Sequence, residues 1–172
     1  TAECWLAALE NHDGPAVLAL TRQNLPALRT EHVEENRCAR GAYVLREPEG
    51  GRDATILATG SEVAIAMTAA DRLAEGGVKA AVVSMPSFEL FERQDPDYRA
   101  AVLGTAPRVA VEAASPFGWT RYVASESDVV GMTSFGASGP IAALYSHFGI
   151  TAEAVTAKVQ QALGRNGKDP SR

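Results

Sequence analysis

Three places in this 172-residue chain combine residue types that could do chemistry. The first is Thr21-Arg22-Gln23-Asn24-Leu25-Pro26, which follows the apolar run Ala16-Val17-Leu18-Ala19-Leu20. A guanidinium at that point can grip a phosphate or carboxylate through two parallel charge-assisted hydrogen bonds. It can equally ion-pair within its own fold or at an oligomer interface. The second is Gly60-Ser61-Glu62, between the run Thr55-Ile56-Leu57-Ala58-Thr59 and a helical pattern. Free backbone N–H groups and a hydroxyl there make either an anion site or a plain helix cap. The third is Glu112, the odd residue in Val109-Ala110-Val111-Glu112-Ala113. A carboxylate ending a buried strand either faces a cleft, where burial raises its pKa toward acid–base use, or bonds a neighbouring loop and holds two strand ends together. No His, Lys or second carboxylate adjoins it, which favours the structural role.

Other patterns offer less. Phe135-Gly136-Ala137-Ser138-Gly139-Pro140 is neither Gly-x-Gly-x-x-Gly nor a Walker loop. Ser138 as N-cap, with Pro140 inside the first turn, explains it as a helix start; Thr133 and Ser134 could add hydroxyls to a pocket. His147 falls at a helix end, where a cation suits the local dipole, without a triad or His-x-x-x-His partner. His32 sits in an acidic, solvated segment. Trp119, Arg121 and Tyr122 read as packing or interface residues. Cys4 and Cys38 are the only cysteines, far apart in sequence and without metal-ligand spacing, so they read as free thiols of a reducing compartment.

The elements that must position these groups alternate in type. Residues 1–11 carry Cys4, Trp5, Ala8 and Leu9 at helical spacing, and His12-Asp13-Gly14-Pro15 stops them. The run 16–20, bracketed by Gly14-Pro15 and Pro26, predicts a buried parallel strand, with Arg22 at its carboxyl end. A helix and a strand cannot enclose a core, so residues 1–26 read as the helix-strand remnant of another α/β domain, and the chain as a fragment. Residues 27–40 are polar and read as a linker. The spacing then predicts strands at 43–46, 55–59, 79–85, 108–113 and 128–132. It predicts helices at 63–75, 88–93, 96–103, 139–148 and 151–163, and a flexible tail over 164–172. Such alternation makes a three-layer αβα domain over 41–163 with a mostly parallel sheet.

Length suits one domain, or one domain plus part of another, and composition is ordinary for a soluble globular protein. Apolar residues make up 46% and charged residues 22%, and no apolar run approaches the ~20 residues of a membrane span. The net charge of −5, without a basic cluster, argues against nucleic acid or an anionic membrane as partner.

The stretch Gly14-Pro15-Ala16-Val17-Leu18-Ala19-Leu20-Thr21-Arg22-Gln23-Asn24-Leu25-Pro26 resembles the segment that closes the pyrimidine-binding domain of transketolases. Five further stretches resemble the family in its own order: Ala39-Arg40-Gly41-Ala42-Tyr43-Val44-Leu45, Ile56-Leu57-Ala58-Thr59-Gly60-Ser61-Glu62-Val63, Val82-Val83-Ser84-Met85-Pro86-Ser87, Arg108-Val109-Ala110-Val111-Glu112-Ala113 and Gly131-Met132-Thr133-Ser134-Phe135-Gly136-Ala137-Ser138-Gly139-Pro140. The resemblance implies a five-stranded C-terminal domain whose first strand, Tyr43–Arg46, runs antiparallel at an edge. It implies a cytoplasmic homodimer of the pentose phosphate pathway that moves a two-carbon ketol unit from a ketose phosphate to an aldose phosphate. Thiamine diphosphate and Mg²⁺ (or Ca²⁺) serve that reaction in the intact enzyme. Their Gly-Asp-Gly…Asn motif, the activating glutamate and the active-site histidines lie upstream in the family, and this chain has no such motif. No bound cofactor, no metal and no catalytic residue is therefore expected here, and the chain alone is expected to be inactive. Arg22 alone matches a family site residue, the arginine at the phosphate end of the sugar. Two rivals are another thiamine enzyme sharing the domain (a 2-oxo acid dehydrogenase component or 1-deoxyxylulose-phosphate synthase) and a non-catalytic assembly or effector-binding domain.

Overall fold

The computed structural model describes residues 1–167. Helix α1 (Ala2–Glu10) comes first, and a 3-10 turn at Arg37–Arg40 precedes the sheet. Strand β1 (Tyr43–Arg46), β2 (Ala54–Ala58), helix α2 (Val63–Glu75) and β3 (Ala80–Ser84) follow. Then come α3 (Phe88–Glu92), α4 (Pro96–Leu103), β4 (Arg108–Val111), β5 (Val129–Val130), α5 (Ile141–Phe148) and α6 (Ala152–Asn166).

The five strands form one sheet in the order β1-β3-β2-β4-β5. Only β1 is antiparallel, with Tyr43 opposite Ser84; β2 pairs in parallel with both β3 and β4, and β5 with β4. The α/β class, the antiparallel edge strand and the layer order are as the sequence leads one to expect.

Side chains alternate across the sheet because strand geometry has a period of two. Ile56, Val82, Val109 and Val111 face one way, onto Ala66, Ala69 and Leu73 of α2 and Val155 and Val159 of α6. Leu57, Val83 and Ala110 face the other way, onto Phe91 of α3, Val102 of α4, and Trp119 and Tyr122. Small residues on α2 let the helix approach the strands closely. The aromatic cluster fills the opposite layer, where Phe88 meets Trp119 edge-on at a centroid distance of 4.8 Å. Trp119 and Tyr122 are thus packing residues.

Gly41 joins the preceding turn to the sheet at φ 79°, and a Cβ on it would lie 2.2 Å from the Phe91 backbone nitrogen. Only glycine admits both that conformation and that approach to α3.

Four sequence expectations need correction. Residues 16–20 form no strand. A strand exists through the ladder it shares with a neighbour, and here Val17 stays 92% exposed with no partner strand among the described residues. The strand expected at 128–132 shrinks to Val129–Val130, because Asp128 belongs to a 3-10 turn and the chain leaves the sheet after Val130. Ser138 is not the cap of α5: Pro140 occupies that position at ψ 133°, without a side-chain bond, and its carbonyl accepts from the Leu144 N–H at 3.1 Å. The tail expected from residue 164 is helical as far as Asn166, since Gly164 is tolerated inside α6 and the Gly167 N–H closes onto the Leu163 carbonyl at 3.0 Å. The remainder of that expectation, 168–172, lies outside the described residues.

Candidate functional site

Parallel sheets gather their polar groups at the carboxyl ends of their strands. Here β2 ends in a 3-10 turn, Gly60–Glu62, that leads into α2. The expected hydroxyl cap is absent, because the Ser61 hydroxyl donates instead to Glu62 Oε1 at 2.7 Å. Glu62 is only 4% exposed, and a carboxylate so deeply placed needs donors. A second donor arrives from α5: the Tyr145 hydroxyl donates to the same Glu62 oxygen and lies 3.2 Å from Ser61 Oγ. Burial, reinforced by the bond to Glu62, raises the Tyr145 pKa. Gln23 completes the network, its Nε2 donating to the Tyr145 hydroxyl at 3.3 Å.

Glu112 directly follows the neighbouring strand β4 and accepts from the Trp119 indole N–H. Its backbone N–H meanwhile bonds the Val130 carbonyl at 3.1 Å. Burial raises the Glu112 pKa, the indole bond opposes the rise, and the charge of Glu62 adds to it. The carboxylate is thus fastened to an indole, not to the loop backbone that the structural alternative called for.

Arg22 is exposed and makes no ion pair or side-chain hydrogen bond among the described residues. Its five N–H donors are available to an anion. The structure brings Ser61, Glu62, Tyr145 and Gln23 together and holds Arg22 one residue from that network. Tyr145 was not singled out from the sequence, and Gln23 and Glu62 were named only as members of their stretches. The usable signal was a charged residue wedged between an apolar strand and an apolar helix start.

A cavity of about 330 Å³ lies beside this network, between α1, the 27–40 segment and the first turn of α2. Gly60 and Ser61 line one side, Glu3 and Arg29 the other. Arg29 grips Glu3 with both guanidinium nitrogens, Nη1 at 3.0 Å from Oε2. The Cys38 backbone N–H donates to Glu3 Oε2 at 3.1 Å. These bonds, the guanidinium foremost, hold the Glu3 carboxyl down to about 2. His32, His147, Thr133 and Ser134 are exposed, and Phe135 is 98% exposed. No group of three or more His, Cys, Asp or Glu that could hold a metal occurs among the described residues.

Residues 41–151 match the Transketolase-like TK C-terminal domain. The chain belongs to the transketolase family. It is 58% identical over 96% of its length to the transketolase of Sinorhizobium medicae, of which it covers 24%. The transketolase structure from Leishmania mexicana superposes with a TM-score of 0.86 at 39% identity, covering 95% of this chain and 24% of that one. A solved structure described as a split gene transketolase, inactive beta4 tetramer, matches with a TM-score of 0.61 at 27% identity, covering 83% of this chain and 48% of that one. The chain thus spans about a quarter of the length of the curated transketolases it matches. Among the described residues no helix is long and apolar enough to cross a membrane.

Proposed function

We propose that this chain is the C-terminal part of a transketolase, a transferase that carries a two-carbon ketol unit from a ketose phosphate to an aldose phosphate. The observation that carries the reading is the 58% identity to a transketolase across 96% of the chain. In the assembled enzyme, thiamine diphosphate and a divalent metal supply the carbanion chemistry. On this reading no reaction step is assigned to the residues of this chain. Their part is binding and architecture.

Arg22 is the residue assigned to substrate. Its unpaired guanidinium would anchor the phosphate end of the sugar and so fix the distance from that end to the reacting carbonyl. Trp5 and Leu9 of α1, 51% and 70% exposed, together with Val17, would face the remainder of the pyrimidine-binding domain. On this reading residues 1–26 close that domain, 27–40 link it, and 41–163 form the C-terminal domain. The assembly is a cytoplasmic homodimer of the pentose phosphate pathway, with no membrane or nucleic-acid partner.

The chain alone would be inactive. The inactive tetramer of a split gene transketolase is a relative consistent with this. Ketol transfer by the purified chain would overturn that part of the reading. The role of Arg22 is tested in an intact enzyme carrying this chain. Arg22→Gln raises KM for a phosphorylated acceptor about 10- to 100-fold and leaves an unphosphorylated aldehyde nearly unaffected. Equal losses with both acceptors would remove the phosphate assignment.

A further inference from the structure

The two cysteines, far apart in sequence, lie on neighbouring elements bonded to each other through Glu3. Cys4 lies on α1 and Cys38 in the Arg37–Arg40 turn, and both are half-buried free thiols. Two bonds from residues beside them hold the elements in register. Asn36 Nδ2 donates to the Glu3 carbonyl at 2.9 Å, and the Cys38 N–H donates to the Glu3 carboxylate at 3.1 Å. Arg29 keeps that carboxylate in place. Each thiol shifts the pKa of the other, lowering Cys4 and raising Cys38. Cys38 lines the cavity of about 330 Å³ and Cys4 is only half-buried, so neither thiol is sealed from solvent.

We propose that Cys4 and Cys38 form a reversible redox pair that closes to an intramolecular disulfide and cross-links α1 to the turn ahead of the sheet. The oxidant is a low-molecular-weight disulfide. The Cys4 thiolate attacks one of its sulfurs, forming a mixed disulfide and releasing one thiol. Cys38 then gives up its proton and attacks the Cys4 sulfur, releasing the second thiol. The chain loses two protons and two electrons, and the oxidant is reduced to two thiols. Cys4 suits the first step, because its interaction with the Cys38 thiol lowers its pKa against the opposing effects of burial and Glu3. The same interaction and burial push Cys38 up.

The bridge closes a loop over residues 4–38, and Arg22 lies within it. Between α1 and Arg37 this loop has no regular structure, so the bridge restricts the excursions of the segment that carries Arg22. That consequence for substrate rests on the role proposed above for Arg22; the bridge itself does not.

The test treats the folded chain with glutathione disulfide and follows free thiols, intact mass and peptide maps. The expected result is joint loss of both thiols, a mass lower by two hydrogen atoms, and a Cys4 peptide linked to a Cys38 peptide. Dithiothreitol reverses all three. Cys38→Ser is expected to stop at one glutathione adduct on Cys4. Two independent glutathione adducts on the unaltered chain, disulfide-linked chain dimers, or reaction only after unfolding would each overturn the proposal. These readouts need no ketol transfer, so they stand or fall separately from the catalytic reading.

Discussion

The Tyr145 hydroxyl of α5 donates to the Glu62 carboxylate at the start of α2, across 83 positions of sequence, and Gln23 bonds the same hydroxyl. One phenol therefore satisfies a buried carboxylate of the sheet domain and ties down the segment that carries Arg22. The anchor is a tertiary one, since residues 21–25 belong to no helix or strand.

Tyr145→Phe keeps the ring and removes this hydroxyl. Among the described residues the buried carboxylate then retains Ser61 as its only side-chain donor, and stability falls by about 1–3 kcal/mol. Urea unfolding measures the loss. Limited proteolysis is expected to cut within residues 20–26 faster than in the unaltered chain, because Gln23 has lost its partner. Unchanged cleavage would show that the segment is held by other contacts.

Glu112→Gln keeps an acceptor for the Trp119 indole and removes a charge that burial and Glu62 both oppose. A carboxyl whose folded pKa lies above its unfolded value weakens the fold above that folded pKa, and the penalty fades as pH falls through it. The variant is therefore expected to match or exceed the parent by up to about 1 kcal/mol at neutral pH. The difference closes in acid. Thermal unfolding at several pH values reads this directly; a variant much less stable at pH 7 would mean that the charge itself is needed.

Glu3 is the opposite case. Arg29 and the Cys38 N–H lower its pKa from 4.5 to about 2. Its contribution is fully present above pH 4.5 and is lost as pH falls toward 2. Allowing for its partial exposure, this amounts to about 1–2 kcal/mol. Glu3→Gln is expected to flatten that acid limb, seen as release of α1 in helical circular dichroism or amide exchange.

Gly41→Ala forces a Cβ against the Phe91 nitrogen and the Ser87 carbonyl, at 2.2 and 2.4 Å. Backbone cannot yield as a flexible side chain would, so a cost of about 3 kcal/mol or more is expected. Denaturant midpoints give the value; near-neutral behaviour would mean that the turn can move away from α3.

The sheet domain was legible because its signals are local. Val82-Val83 and Val109-Ala110-Val111 are continuous apolar runs, the mark of strands covered on both faces. The 63–75 pattern places Ala66, Ala70 and Leu73 on one side of a helix, and the helix forms at those limits. Residues 16–20 carry the same local signal and form no strand, since a ladder needs a neighbour that sequence pattern does not supply.

The sequence by itself determined the alternation of strands and helices and the resemblance to the family, and it offered Arg22 and the Gly60-Ser61 turn as candidate anion contacts. Those conclusions rest on apolar period, turn residues and motif, each readable within a few neighbours. Tertiary structure alone decided that Ser61 serves Glu62 rather than capping α2, that Trp119 occupies Glu112, and that Glu3 of α1 bonds the turn carrying Cys38. The reason is physical: a buried polar group bonds whatever the fold places within about 3 Å of it, and that partner can come from anywhere in the chain.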